Sequence, residues 1–280
     1  MSLASGASPA LTRSAPSTAA AGLRDALHAE WTKLRTAPGT FGLLVAAVAL
    51  TVAVSAAAAA ATRCPAAGCG QDPAQVGLTG VYLGQVVVAV VAVLAISGEY
   101  SSGMIRTTLA AMPRRTTVLA AKAALVTGLT LAAGTVAVLG SLLAGRLILP
   151  GRGFTAAHGF APLSLADGPV LRAAAGSVLY LALIALLGLG VASAVRDSAV
   201  AIGIVLGLLY LFPIVAAVVS DPHVQRHLQQ VAPMTAGLEI QATTGLRSLP
   251  LSPWAGLGVL AAWAAAALLA GGLLLRLRDA

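Results

Sequence analysis

The feature that most constrains the fold is a series of six apolar segments, each long enough to cross a membrane as a helix. They lie at about residues 40–62, 78–96, 120–145, 171–195, 198–219 and 254–275. A bilayer core requires about 20 apolar residues per helical span. Only 9% of the 280 residues are charged, whereas soluble domains carry about 25%. The sequence therefore predicts an all-α polytopic membrane protein with a six-span transmembrane domain over residues 38–280.

The segment before the first span divides into a tail and an amphipathic helix. Residues 1–21 are rich in Ser, Ala, Thr and Pro, which predicts a disordered cytoplasmic tail. Residues 22–37 read GLRDALHAEWTKLRTA, with an apolar stripe formed by Leu23, Leu27, Trp31 and Leu34. This spacing, with polar residues on the rest of the wheel, predicts a helix that lies in the plane of the inner membrane surface.

The connection between the second and third spans is the most informative polar stretch. It reads SGEYSSGMIRTTLAAMPRRTT from Ser97 to Thr117, and Ile105, Leu109 and Met112 form one stripe of a short helix that Pro113 ends. The segment also carries a group of basic residues that predicts a cytoplasmic location: Arg106, Arg114, Arg115 and, just beyond, Lys122. Its apolar stripe must be covered, either by lying on the lipid headgroups or by docking on a cytoplasmic partner.

The distribution of basic residues predicts the orientation of the chain. With the N-terminus inside, eleven of the 17 Lys and Arg residues lie in cytoplasmic segments, although the outer loops are longer. The positive-inside rule therefore places both termini in the cytoplasm, in the plasma membrane. The basic residues stand at span ends and form no patch with aromatic residues, so the net charge of +8 indicates lipid contact rather than nucleic-acid binding.

Three positions leave alternatives open. Cys64 and Cys69 lie in the predicted outer loop after the first span, where the oxidising compartment allows either a disulfide or two unpaired thiols. Glu99 stands where the second span meets the cytoplasm. It is either a charged interfacial residue neutralised by nearby arginines, or a hinge that orients the helix after it.

Several catalytic classes are excluded by residues that the sequence lacks. The two lysines, Lys33 and Lys122, follow Thr and Ala, so no GxxxxGK[ST] phosphate loop can form. No carboxylate lies in the middle of a predicted span, which disfavours an ion-coupled carrier. All four histidines lie in loops or tails, so no span pairs a serine with a histidine base. We expect no catalytic residue, metal or cofactor in this chain.

The arrangement resembles the permease subunits of type-2 ATP-binding-cassette exporters, particularly their actinobacterial branch. The resemblance is carried by HAEWTKLR in the in-plane helix, by six spans, and by GEYSSGMIRTTLAAMPRR after the second span. It implies a permease dimer, here expected to be a homodimer, with separate ATP-binding subunits attached from the cytoplasm. By this resemblance residues 22–37 form the connecting helix, and a coupling helix around 102–112 docks on the ATPase.

The resemblance assigns the ATPase-coupling role to nine residues: Trp31, Leu34, Glu99, Ile105, Arg106, Leu109, Met112, Arg114 and Arg115. The apolar lining of the spans suits an apolar or amphipathic substrate. The function expected is therefore a permease that couples ATP hydrolysis in a partner subunit to export. An ATPase-independent secondary carrier and a membrane scaffold or immunity protein are the alternatives, and a neighbouring reading frame with an ATPase signature would favour the exporter.

Overall fold

A computed structural model describes residues 27–28, 31–32, 38–65, 69–101 and 115–277. Six of its helices are long and apolar enough to cross a membrane: α1 (Pro38–Ala61), α3 (Val81–Ser101), α4 (Arg115–Ile148), α5 (Gly168–Val195), α6 (Ser198–Val218) and α9 (Pro253–Leu277). Three short helices lie between them: α2 (Pro73–Gly77), α7 (Pro222–Val231) and α8 (Pro233–Leu238). The prediction of an all-helical protein with six spans is confirmed.

The observed helices extend beyond several of the predicted spans. The largest difference is α4, which begins at Arg115 and has 34 residues, whereas the apolar run predicted a span at about 120–145. At 1.5 Å per residue this helix is roughly 50 Å long, well beyond the ~30 Å apolar core. Its first turn contains Thr116 and Thr117, and a hydropathy pattern does not detect a helical turn that is polar.

Aspartate side chains begin three of the helices. Asp72 accepts from the backbone of Ala74 at the start of α2, Asp197 from Val200 in α6, and Asp221 from His223 in α7. A carboxylate at this position satisfies backbone N–H groups that have no partner within the helix. These caps fix where the chain turns from each loop into a helix.

Helices α3 and α5 form the centre of the bundle. They bury 56% and 61% of their most apolar windows, whereas the other four spans bury 22–28%. Helix α5 packs against α9, α3 and α4, while α1 packs against α4 and α3. The outer helices therefore leave most of their apolar surface to lipid or to a partner, and the two central helices hold the bundle together.

Two glycines set the close contact between α5 and α9. A Cβ atom on Gly190 would stand 2.5 Å from the backbone carbon of Ala267, and one on Gly271 would stand 1.9 Å from the Ser193 hydroxyl oxygen. Neither position has room for a side chain. Close approach of this kind, through small residues, is typical of helix packing in membranes.

The loops interlock at one end of the bundle, which we call the distal end, where α1 ends and α9 begins. The backbone N–H of Cys64 donates to the carbonyl of Arg152 at 2.9 Å, and Asp72 contacts Thr243. Cys64 and Cys69 form a disulfide. We call the opposite end proximal; there α3 ends and α4 begins, and residues 102–114 connect them. The predicted coupling helix therefore lies outside the described residues.

Candidate functional site: the two ends of helix α3

Helix α3 is the central helix that leads directly into the predicted coupling segment. Its proximal end at Ser101 precedes residues 102–114, and its distal end at Val81 follows α2 and the disulfide loop. Polar contacts between helices concentrate near both of its ends. We describe them as a proximal cluster (Ala95, Ser97, Tyr100, Lys122, Arg196 and Ser198) and a distal cluster (Gln85, Tyr180, Tyr210 and Met234).

The proximal cluster joins α3 to α4, to α6 and to the turn between α5 and α6. Lys122 of α4 is only 3% exposed, and its ammonium group donates to the carbonyl of Ala95 at 3.2 Å. The hydroxyl of Ser198, at the start of α6, donates to the Ser97 hydroxyl at 2.8 Å. An amine and hydroxyls in an apolar environment lose water, so such contacts are costly to break. They hold the proximal end of α3 to its neighbours.

Arg196 adds a contact from the turn between α5 and α6. Its guanidinium carbon lies 5.4 Å from the ring centre of Tyr100, within the range of a cation–π interaction. Arg196 is also the one non-glycine residue with a positive φ, +66°, in the described part of the chain. A left-handed conformation disfavours residues with a Cβ atom. Glycine would suit this backbone conformation, but it has no side chain to reach Tyr100. The contact with the Tyr100 ring therefore accounts for an arginine at this position.

The distal cluster is a chain of hydrogen bonds buried between four helices. Gln85 of α3 and Tyr180 of α5 are both 0% exposed, and the Tyr180 hydroxyl donates to Gln85 Oε1. Gln85 Nε2 donates to the Tyr210 hydroxyl at 3.0 Å and to the Met234 sulfur at 3.3 Å. Tyr210 in turn donates to the backbone carbonyl of Tyr82 at 2.6 Å. Each polar group thereby finds a partner, as burial requires.

Above the distal cluster, Asp72 ties the loop after α1 to the loop before α9. Its carboxylate is 7% exposed and accepts from the Thr243 hydroxyl at 2.7 Å and from the Thr244 backbone N–H at 2.9 Å. It also accepts from the Thr243 backbone N–H. Hydrogen bonds to a charged acceptor are stronger than neutral ones. This contact covers the distal end of the bundle, where α8 lies buried.

Glu239 is the distal carboxylate whose environment alters its titration. It lies in the 3₁₀ turn Glu239–Gln241 after α8. Burial raises the pKa of Glu239 to about 6, while a hydrogen bond from the Leu251 backbone N–H, at 3.1 Å, acts in the opposite direction. Desolvation disfavours the charged form of a carboxyl group, which accounts for the direction of the shift.

The predicted coupling residues fall largely outside the described part of the chain. Trp31 is described and is 47% exposed, and Glu99 lies in the last turns of α3. Arg115 is the first residue of α4. The others lie outside the described residues: Leu34, Ile105, Arg106, Leu109, Met112 and Arg114. The connecting helix is described at residues 27–28 and 31–32, which are helical.

Sequence reasoning missed the polar residues that join the helices. It searched the spans for carboxylates, whereas Gln85 is an uncharged amide in an apolar run. That isolated amide was a usable signal, because polar residues inside a membrane are costly and usually have a role. Lys122 was interpreted as a topology marker, but it is buried between α3 and α4.

The arrangement is suited to transmitting movement rather than to bond-making chemistry. Among the described residues no group of three His, Cys, Asp or Glu side chains comes together as metal ligands. The polar contacts instead connect α3 to α4 and α6 at one end, and to α5, α6 and α8 at the other. A displacement of α3 along or about its axis would alter both clusters.

Comparison with known proteins identifies the family. The sequence pattern of the family described as "ABC-2 family transporter protein" matches residues 26–219, which is more than half of the chain. The matched region includes the proximal cluster, Gln85, Tyr180 and Tyr210. No curated protein matches the chain.

Proposed function

Because this chain belongs to the ABC-2 family and is the membrane permease of an ABC-type transporter, we propose that it couples to a separate ATP-binding subunit and exports an apolar or amphipathic substrate. The observation that carries the coupling proposal is the proximal cluster. It joins the helix that enters residues 102–114 to α4, which leaves them, and to α6. A force on this connection would therefore reach three spans together.

The distal cluster gives that movement a consequence at the other membrane face. Gln85 lies ten residues before Ala95 on α3, about 15 Å along the helix axis. Movement of α3 would strain the hydrogen bonds of Gln85 to Tyr180 and Tyr210, and also its contact with Met234 of α8. We infer that separating this cluster opens the distal end and releases substrate there.

A second copy of the chain is proposed to pack on α6. Gly203 and Gly207 form a GxxxG pair, and apart from the helix's own nearby backbone no described atom lies within 4 Å of the place where a Cβ would stand on either residue. Such a surface permits close approach of another helix. Gly207→Cys should cross-link between copies, because this packing brings the two α6 helices together. The two native cysteines are bonded to each other and therefore do not compete in the reaction. A Leu269→Cys control on α9, 74% exposed, should not; equal cross-linking of both variants would contradict this packing.

The proposed orientation has both termini and residues 102–114 on the cytoplasmic side of the plasma membrane and the distal end on its external side. The disulfide between Cys64 and Cys69 at the distal end agrees with an oxidising compartment. After mild reduction of intact cells, a membrane-impermeant maleimide should label these cysteines. Labelling that requires cell lysis would reverse the orientation.

The substrate class rests on the apolar character of the spans, which offer few charged groups to a polar cargo. Inside-out vesicles supplied with ATP should accumulate an amphipathic fluorescent compound but not a small hydrophilic dye. The reverse selectivity would contradict the proposal for the substrate.

The central test is a pull-down of the detergent-solubilised permease with an ABC ATPase from a neighbouring reading frame that carries the ATPase signature. Leu109→Asp/Met112→Asp places two charges on the predicted apolar stripe. Burying unpaired charges is costly, so ATPase binding should fall by at least about a hundredfold. Thr107→Asp/Ala110→Asp is the matched control, because at 100° per residue these positions would lie on the opposite face of the predicted helix.

Binding by the wild type and the control, and loss in the stripe variant, would support ATPase coupling. All three proteins must elute from size exclusion as the same folded species. If the wild type binds no ATPase, the stripe contacts lipid and the secondary-carrier or scaffold function takes the place of the exporter. If both double variants lose binding equally, the effect of charge is unspecific and the docking face is wrong.

A further inference from the structure

A basic pocket lies at the distal end, away from both clusters on α3. It has a volume of about 420 Å³ and is lined by seven residues: Arg63, Cys64, Pro65, Gly151, Arg152, Gly153 and His158. Arg63 follows α1 by two residues, and Arg152 ends the 3₁₀ turn Leu149–Arg152 that continues from α4. The pocket therefore lies at the level where two spans leave the membrane.

The backbone that carries these side chains is tightly fixed. The N–H of Cys64 donates to the carbonyl of Arg152 at 2.9 Å, and the Cys64–Cys69 disulfide closes the loop next to Arg63. Gly153 has a φ of +98°, and a Cβ there would stand 2.0 Å from the Cys64 carbonyl oxygen. Only glycine allows this approach. The two arginines are consequently held on adjoining backbone segments.

His158 is oriented by the same glycine. Its Nδ1 lies 2.6 Å from the carbonyl oxygen of Gly153. A carbonyl oxygen can only accept, so Nδ1 carries the proton and donates. This leaves Nε2 as the nitrogen available to the pocket. The ring is therefore fixed by a backbone contact rather than by a carboxylate.

The pocket gathers positive charge without an acidic partner in its lining. Arg63, Arg152 and His158 are its ionisable side chains, and none of its lining residues is Asp or Glu. The neighbouring positions outside the described residues, 66–68, are Ala, Ala and Gly. Arg63 and Arg152 bring two positive charges to the lining of this pocket, and a bound anion would offset their mutual repulsion. Arginine also matches the geometry of phosphate oxygens through paired N–H groups.

We propose that this pocket binds a phosphate-bearing anion at the distal membrane surface. The phosphate is either the headgroup of an anionic phospholipid, such as phosphatidylglycerol, or free inorganic phosphate. The position of the pocket at the ends of α1 and α4 places it at headgroup level. Bound phosphate would join the loop after α1 to the loop after α4, in addition to their backbone hydrogen bond.

The test uses the full-length protein purified in detergent. Native mass spectrometry would count the phosphatidylglycerol and phosphatidylcholine molecules retained after delipidation, and thermal unfolding would be followed during titration with inorganic phosphate. Arg63→Gln/Arg152→Gln removes both guanidinium groups. Arg226→Gln/Arg247→Gln is the control, since it removes the same charge from two residues between α6 and α9 that do not line the pocket.

We expect affinity for phosphatidylglycerol to fall about tenfold or more in the pocket variant, because two charge-assisted hydrogen bonds are lost, and to persist in the control. Stabilisation by inorganic phosphate alone, lost in the pocket variant, would support the site and assign it to free phosphate. The proposal is overturned if the wild type neither retains phosphatidylglycerol in preference to phosphatidylcholine nor is stabilised by inorganic phosphate. It is also overturned if both double variants lose binding equally. Both variants keep the buried core, and the disulfide provides a check of folding through its resistance to alkylation.

Discussion

The hydrogen bonds of Asp72 make a quantitative prediction about the distal end. At the start of a helix Asn caps about as well as Asp, so Asp72→Asn would be nearly neutral if the residue only capped α2. Its carboxylate, however, also accepts from the backbone N–H groups of Thr243 and Thr244 through Oδ2, while Oδ1 accepts from Ala74. An asparagine has one carbonyl oxygen for these two sets of donors.

In either orientation the amide NH₂ of the substituted side chain would face at least one backbone N–H, which would lose its acceptor. Because Asp72 is 7% exposed, water cannot fully replace that acceptor. Hydrogen bonds to a charged group are worth about 1.5–3 kcal/mol each. We therefore expect Asp72→Asn to lower the free energy of unfolding by about 2–4 kcal/mol, and to accelerate hydrogen exchange at Thr243 and Thr244.

The assay is reversible unfolding in mixed micelles, with hydrogen exchange measured by mass spectrometry. Asp221→Asn is the matched control, because Asp221 is exposed and accepts only from its own first turn, at His223 and Val224. It should change stability by less than about 0.5 kcal/mol. Equal losses in the two variants, or an unchanged exchange rate at the two threonines, would refute the role of Asp72 between the loops.

Three single contacts lead to further predictions. In a double-mutant cycle, Gln85→Leu and Tyr180→Phe should each destabilise the protein and show a coupling of about 1 kcal/mol, because each leaves the other's buried group without a partner; additive effects would contradict the bond. Burial raises the pKa of Glu239 above its ordinary 4.5 to about 6, so the folded protein binds its proton more tightly than the unfolded chain. Stability should therefore fall as pH rises from about 4.5 to 6, and Glu239→Gln should flatten that decline in thermal unfolding, whereas an unchanged slope would assign it to another group. Arg196→Gly should retain stability, since glycine favours the +66° φ, yet reduce the coupling of ATP hydrolysis to transport; full transport in this variant would show that the contact with Tyr100 is not part of the coupling.

The spans could be predicted because their signal is local and large. A run such as residues 78–96 is apolar at nearly every position, and each such run must form a helix to satisfy its backbone inside a membrane. The length of α4 was underestimated because its first turn is polar, and hydropathy does not distinguish a polar helical turn from a loop.

The polar contacts could not be predicted because they join residues far apart in sequence. Gln85 is 95 residues from Tyr180 and 125 residues from Tyr210, and no periodic pattern relates them. Gly203 and Gly207 form a GxxxG pair, a pattern that permits close helix packing, yet within one chain these glycines face open space. Close contacts are made at other glycines: at the GxxxG pair Gly80 and Gly84, where a Cβ would stand 1.8 and 2.1 Å from oxygen atoms of Thr51 on α1, and at Gly190 and Gly271 between α5 and α9.

The two clusters on α3 differ in a way that follows from where they lie. The distal cluster consists of uncharged groups, Gln85, Tyr180 and Tyr210, whose bonds can exchange partners at modest cost because none carries a charge. The proximal cluster contains Lys122 and Arg196, whose charges are costly to leave without partners in an apolar environment. If α3 moves, the neutral distal contacts should therefore yield before the charged proximal ones. That order would keep the helix attached at the end where we propose that the ATPase acts, and release it at the end where we propose that the substrate leaves.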